Sequence, residues 1–205
     1  MKGKLSMGCL VGIGVLVILG IILYSFVTKS YNSMVKLDEV VKEKWSQVEN
    51  VYQRRLDLIP NLVETVKGYA AQEKETFIAV AEARSKAKGT FNVTEDVLNN
   101  PAMFEKFQQA QNSLSSALQR LMVVVERYPE LKSNQNFLSL QDQLEGTENR
   151  ITVERRRFNE AARAFNIYIK QFPRLFLANL FGFKERMYFK SQEGAETAPK
   201  VQFAP

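Results

Sequence analysis

The sequence predicts an all-α protein, in which a single N-terminal transmembrane helix leads into an elongated antiparallel helical bundle, four-helix-bundle-like in plan. Three observations predict it. An uncharged run rich in Leu, Ile and Val fills residues 5–28. Apolar side chains then recur at heptad spacing through most of the remaining chain, and Pro or Gly interrupts them at only a few places. The bundle so read has a long kinked first helix, two further long helices and a short C-terminal helix.

Composition narrows the chemistry. The net charge of +6 comes from 28 basic and 22 acidic residues that are interleaved along the chain. Solvated helix faces explain such interleaving, and no nucleic-acid partner is expected. There is no histidine, so a Ser-His-Asp triad, an HExxH zinc site and an ExxH di-iron site are all excluded. Cys9 is the single cysteine, which excludes an intrachain disulfide or a CxxC pair. Neither GxxxxGK[ST] nor GxGxxG occurs. The expectation is no enzyme, no metal and no cofactor.

Residues 5–28 meet the length of about 20 apolar residues that a bilayer crossing needs. The run is longer than the apolar part of a secretory signal and lacks a small-x-small cleavage pattern after it, which predicts a retained anchor over residues 1–29. Lys2 and Lys4 flank one side, and Lys29, Lys36, Lys42 and Lys44 the other. That near balance sets no orientation. The expected location is the cell (inner) membrane, crossed once, with the lipid bilayer as partner of residues 5–28.

From Tyr31 the repeat places Met34, Val41, Val48, Arg55, Leu62 and Tyr69 at one seam position. Asp38, Trp45, Tyr52, Ile59, Val66 and Glu73 occupy the other. Asp38, Arg55 and Glu73 break the apolar stripe. The phase runs on through Phe77 and Val80 to Ala87, where Lys86, Lys88 and Gly89 signal an end. This gives a first soluble helix of about 57 residues and ~85 Å. Pro60 lies within it and demands either a kink or a fold-back, with the unbroken phase favouring the kink.

A loop is expected over residues 90–99. Asn100-Pro101 then supplies an N-cap and a first-turn proline for the second helix, whose seam is Phe104, Phe107, Gln111, Leu114, Leu118, Leu121, Val125 and Tyr128. After Pro129 the third helix repeats Phe137, Leu144, Ile151, Phe158, Phe165 and Phe172 every seven residues, with Leu140, Thr147, Glu154, Ala161 and Tyr168 between them. A small repeat stands inside it: Phe158-Asn159, Phe165-Asn166, Phe172-Pro173. The helical-bundle domain is therefore drawn at 30–173. Residues 174–205 form a short helix, a break at Gly182 and an aromatic-rich extended tail that packs on the bundle or on a neighbour.

Length arithmetic adds one expectation. A second helix of about 27 residues covers ~40 Å, half of the first. The membrane-proximal stripe of Val41, Trp45, Val48 and Tyr52 then needs another cover, from the C-terminal segment or from another copy. Those residues, with Phe181, Phe183, Tyr188, Phe189 and Phe203 of the tail, are the candidates for self-association into a homo-oligomer.

Ordered motifs carry a family resemblance. They are Tyr31-Asn32-Ser33-Met34-Val35, Trp45-Ser46-Gln47-Val48-Glu49, Arg54-Arg55-Leu56-Asp57-Leu58-Ile59-Pro60-Asn61-Leu62-Val63 and Val66-Lys67-Gly68-Tyr69. Further on come Tyr128-Pro129-Glu130-Leu131-Lys132, Glu148-Asn149-Arg150-Ile151, the Phe-Asn repeat, Phe181-Gly182-Phe183 and Pro199-Lys200-Val201. In these the chain resembles the LemA family of bacterial membrane proteins over nearly its whole length. Phe158 and Phe165 stand where the family often has tyrosine, and Gln72 where histidine is common. The resemblance implies one N-terminal transmembrane helix and an elongated helical bundle, and implies no activity.

The candidate site is the polar group about Pro60: Arg54, Arg55, Asp57, Asn61 and Glu64, met by Asn159, Arg163 and Asn166 of the third helix. As a functional site it is an anion or partner pocket of guanidinium groups. As a structural one, Arg55 and Asp57 supply partners to backbone freed by Pro60, and the asparagines fix register, which is the favoured reading. The expected function is a membrane-anchored, non-enzymatic scaffold or adaptor that self-associates and organises other envelope membrane proteins. The alternatives are an amphipathic lipid-binding or membrane-remodelling bundle and, third, a carboxylate-dependent enzyme.

Overall fold

The computed structural model describes residues 7–190 and is helical over most of that range, with no strand among the described residues. The helices are α1 (Met7–Lys67), α2 (Lys74–Gly89), α3 (Thr94–Asn99), α4 (Pro101–Val125), α5 (Pro129–Lys132), α6 (Gln135–Lys170) and α7 (Arg174–Leu180). A 3-10 turn, Thr90–Val93, joins α2 to α3. The all-α class is therefore as expected.

The apolar run and the first seam belong to one helix. α1 begins as an apolar segment long enough to cross a membrane. Its large apolar side chains from Leu10 to Tyr24 stand exposed on every side, as a helix surrounded by lipid requires. Farther along, both seam rows turn inward: Met34, Val41, Val48, Arg55 and Leu62 are buried, and so are Asp38, Trp45, Tyr52, Ile59 and Val66. Of the three charged interruptions, Asp38 and Arg55 are thus inside the bundle, whereas Glu73 lies past the end of α1 and is half-buried, and Tyr69 is exposed.

The structure corrects the end of this helix. α1 stops at Lys67, and the chain turns through residues 68–73 before α2 starts. Tyr69 and Ala70 both donate their amides to the Val66 carbonyl, at 3.0 and 2.9 Å, which closes the last turn. The heptad phase carried across this break because Val66 and Ala70 before it, and Phe77 and Val80 after it, bury into the same core. Shared phase shows a shared core and does not require a continuous helix. Pro60 neither breaks the helix nor reverses the chain: α1 contains it.

Two further expectations are corrected. The loop at residues 90–99 is the 3-10 turn plus α3, because Val97 and Leu98 give a short helix something to bury. Phe172 leaves the seam: α6 ends at Lys170, and Phe172 is exposed. The remaining seam residues Phe137, Leu144, Ile151, Phe158 and Phe165 are buried. α4 is as read. Asn100 caps it by accepting from the Ala102 amide at 3.0 Å, and Phe104, Phe107, Gln111, Leu114, Leu118, Leu121 and Val125 are buried. Tyr128 lies just beyond α4, at the N-cap of α5.

The chain forms two compact units. Among the described residues, one gathers 7–46 with Glu160–Arg186, and the other gathers Gln47–Asn159 with 187–190. Each joins stretches distant in sequence, as antiparallel pairing of long helices demands. This is a different partition from the anchor, bundle and tail at 1–29, 30–173 and 174–205, which follows sequence order.

In the first unit Met34, Val41 and Trp45 of α1, Ala162, Phe165 and Ile169 of α6, and Ala178 of α7 are buried. In the second unit the core runs from Leu56, Ile59, Leu62 and Val66 through Phe77 and Val80 to Leu114, Leu118, Leu121, Phe137 and Leu144. α2 packs along α4 there. Full burial of side chains of this size contributes roughly 1.5–3 kcal/mol each.

Candidate functional site

Pro60 has no amide hydrogen, so the Leu56 carbonyl one turn earlier loses its intrahelical donor. Arg84 of α2 replaces it, its Nε–H donating to the Leu56 oxygen at 2.8 Å. The expectation that Arg55 or Asp57 tends this carbonyl is therefore corrected. Neither reaches it, because both lie on α1 itself and project outward from the axis, whereas α2 can approach from the side.

Arg55 has a different task. It is 1% exposed. Its Nη1 donates to Glu148 Oε1 at 2.9 Å and to Ser115 Oγ at 3.0 Å, and its Nη2 to Gln111 Oε1 at 2.5 Å. The guanidinium also lies 5.0 Å from the centre of the Tyr52 ring. One planar fork thereby ties α1 to α4 and α6. This geometry is what arginine offers and lysine lacks. Gln111, the polar member of the α4 seam, is thus the partner of the charged interruption in α1.

The other members of the expected cluster do not join Arg55. Arg54, Asp57, Pro60, Asn61 and Glu64 are exposed, turned to solvent by their angular offset from position 55. Asp57 accepts from Gln53 at 2.8 Å, and Glu64 pairs with Lys67 at 2.7 Å, both along the helix surface. Arg163 is exposed too. The expected cluster does not assemble.

Asn159 and Asn166 explain the Phe-Asn repeat. In the second unit the Asn159 amide bonds the backbone of Phe189 twice, donating to its carbonyl at 3.0 Å and accepting from its N–H at 2.9 Å. In the first unit Asn166 does the same to Arg186, with both bonds at 2.8 Å. A primary amide has one donor face and one acceptor face side by side, which is what an extended backbone residue presents. Each phenylalanine meanwhile points into the core and each asparagine takes hold of the C-terminal segment.

Arg186 is itself buried, and its Nη2 donates to Asp38 Oδ1 at 2.5 Å. Lys42 approaches the other Asp38 oxygen at 3.2 Å. Hydrogen bonds to Glu39 first and Asp38 second hold the Lys42 ammonium pKa above its ordinary value. The seam carboxylate of α1 thus has a cation from the tail, a partner that no sequence pattern announced.

Four of the proposed self-association residues, Val41, Trp45, Val48 and Tyr52, are buried by the chain itself, and so is Phe189. Of the two covers expected for the stripe, the C-terminal segment or another copy, a second copy is not needed to bury these four. The C-terminal segment, the other cover expected, contributes to that burial: Phe189 fills space beside Phe104, 4.9 Å between ring centres, and beside Phe158 at 5.5 Å. Phe183 sits against Phe165 at 6.2 Å. Phe181 and Tyr188 are exposed, and Phe203 lies outside the described residues.

Burial raises the Tyr52 phenol pKa, outweighing the opposing pull of Arg155 and Arg55. Among the described residues no group of three or more His, Cys, Asp or Glu side chains converges as metal ligands would. In the second unit a groove of about 580 Å³ runs beside α4. Gln108, Gln109, Asn112, Ser115, Ser116 and Gln119 line it together with the charged Glu105 and Lys190 and the apolar or aromatic Pro101, Phe104, Met187 and Tyr188. Its donors and acceptors are nearly all uncharged.

A family model described as the LemA family matches residues 44–203. The chain belongs to the LemA family. Similar curated relatives are the Magnetosome proteins MamQ 1 and MamQ 2 of Paramagnetospirillum magneticum, each 30% identical over 186 residues, covering 82% of this chain and 67% of the relative. Magnetosome protein MamQ of Magnetospirillum gryphiswaldense is 29% identical over 182 residues, with the same coverage. With its apolar N-terminal helix, this LemA-family chain is a membrane-associated protein.

Proposed function

We propose that this chain is a non-enzymatic scaffold, anchored in the cell membrane by α1, which self-associates and organises other membrane proteins. The observation that carries the reading is the groove beside α4. Amides and hydroxyls can satisfy the backbone and polar side chains of a docked polypeptide, whereas acid–base chemistry needs paired titratable groups with a reacting atom between them. The buried charges point the same way, since Arg55, Asp38 and Arg186 are engaged in holding helices and tail together. The relatives' description as magnetosome proteins is consistent with a role in organising a membrane.

Extraction into lipid nanodiscs followed by mass photometry tests self-association. The expected species is a multiple of the 23.5 kDa chain. A strictly monomeric species at every concentration overturns that part. Cross-linking from Gln108→Cys in a Cys9→Ser background tests the groove: the expected adducts are with membrane proteins, and an uncross-linked chain in intact membranes overturns the adaptor role.

A further inference from the structure

Phe172, Phe176 and Leu180 follow one another at intervals of four residues and are 81, 64 and 75% exposed. Phe176 and Leu180 share one face of α7 at this spacing. Phe172 extends the stripe, its ring meeting that of Phe176 edge-on at 5.8 Å. Ala178 is buried, about 200° around the helix from both. α7 therefore packs through its smallest side chain and turns its largest outward, the reverse of what water favours.

The position of α7 indicates what covers this stripe. Just past the helix, Phe181 meets the ring of Tyr31 edge-on at 4.9 Å, and Phe183 meets the same ring at 5.9 Å. Tyr31 stands two residues, about 3 Å of helical rise, beyond Lys29, where the uncharged run of α1 ends. α7 is thus held at the level where hydrocarbon gives way to headgroups, the level at which tyrosine and cations collect. Arg174 stacks on Tyr168 at 4.2 Å and Lys184 follows the helix in sequence, while Lys170 before it is paired with Glu185 at 2.6 Å.

We propose that α7 is a second membrane contact, in which Phe172, Phe176 and Leu180 insert into the headgroup–acyl boundary of the bilayer that α1 crosses, with Arg174 and Lys184 facing anionic lipid. The contact does not depend on self-association. It gives the first unit two attachments, one spanning and one lying in the interface.

A nitroxide on Leu180→Cys, in a Cys9→Ser background of the full chain, tests it in phosphatidylcholine–phosphatidylglycerol liposomes. Collision rates with oxygen and with a water-soluble nickel complex report depth. The expected result is frequent oxygen and rare nickel collisions, at a depth of roughly 5–10 Å. Frequent nickel collisions place the helix in water and overturn the proposal. Rare collisions with both place it under protein, such as a second copy, and overturn it too. Adding Phe172→Asp and Phe176→Asp, both at exposed positions, is expected to lift the label into water with helical circular dichroism unchanged. A label that stays at depth shows that the stripe does not hold it there and overturns the proposal.

Discussion

Arg84 donates to the Leu56 carbonyl at 2.8 Å, in the place where the amide of residue 60 would bond if it were not proline. The two features are energetically linked. Arg84→Met is expected to cost about 1.5–3 kcal/mol in the native sequence, since a charge-assisted bond is lost and a carbonyl is orphaned. In a Pro60→Ala background the alanine N–H takes that carbonyl, and the same change is expected to cost under about 0.5 kcal/mol. Denaturant unfolding of the four proteins in a double-mutant cycle measures the difference. Equal costs in both backgrounds refute the link.

Removing Glu148 leaves the buried Arg55 without its carboxylate. Glu148→Ala is expected to destabilise by about 3 kcal/mol, the low end for a broken buried pair, because Glu148 keeps part of its surface in water. Arg55→Met combined with Glu148→Gln should recover part of that loss. Arg55→Lys should not rescue, because an ammonium cannot reach Ser115, Gln111 and Glu148 together. Unfolding midpoints rank the variants, and a lysine variant of native stability contradicts this account.

The asparagine braces make a prediction about the tail. Asn159→Ala or Asn166→Ala removes two hydrogen bonds and leaves a backbone pair to find water, at a cost of about 1–3 kcal/mol each. Asn→Asp is expected to be as harmful, since a carboxylate has no N–H for the carbonyl of Phe189 or Arg186. Trypsin cleavage at Lys184, Arg186 and Lys190 should accelerate in every one of these variants. Unchanged cleavage indicates that the rings alone hold the segment.

Alkali should weaken the second unit. Burial raises the Tyr52 pKa above the ordinary tyrosine value. The folded state therefore keeps the phenol proton after the unfolded state has lost it. The associated stability is fully present below the unfolded value of about 10 and is lost as pH rises through the folded value. Unfolding free energy measured upward from pH 9 should fall, and Tyr52→Phe should flatten part of that fall. An unchanged slope in the variant removes Tyr52 as the cause.

At the start of α4, Asn100→Ala is expected to cost about 1 kcal/mol, with Asn100→Gly closer to native. Thermal unfolding decides it, and an alanine variant of full stability would show the cap to be idle.

Periodic features were legible in the sequence. The α4 and α6 seams, the Asn100 cap and the apolar run all follow from local pattern, and local pattern is what single residues encode. The end of α1 was not legible, because Val66 and Phe77 serve one core from two helices and so keep one phase. The site was half legible. Asp38 and Arg55 stood out as charged breaks in the apolar seam of α1, and both are buried. Arg186, Glu148 and Arg84 carried no signal, since a charged residue in an ordinary stretch gives no hint of which distant helix it faces. That the aromatic tail packs was legible, but its points of attachment were not: its backbone, bound by Asn159 and Asn166, leaves no mark in residue types.

That mode of binding has an evolutionary consequence. Asn159 and Asn166 hold Phe189 and Arg186 by their peptide groups, which any residue except proline presents alike. Mutational drift in Lys184, Glu185, Tyr188 and Lys190, all exposed, leaves the braces untouched. The segment is free to acquire new surface chemistry while its course along the helix stays fixed. A single change to proline at 186 or 189, by contrast, deletes an amide and ends the arrangement.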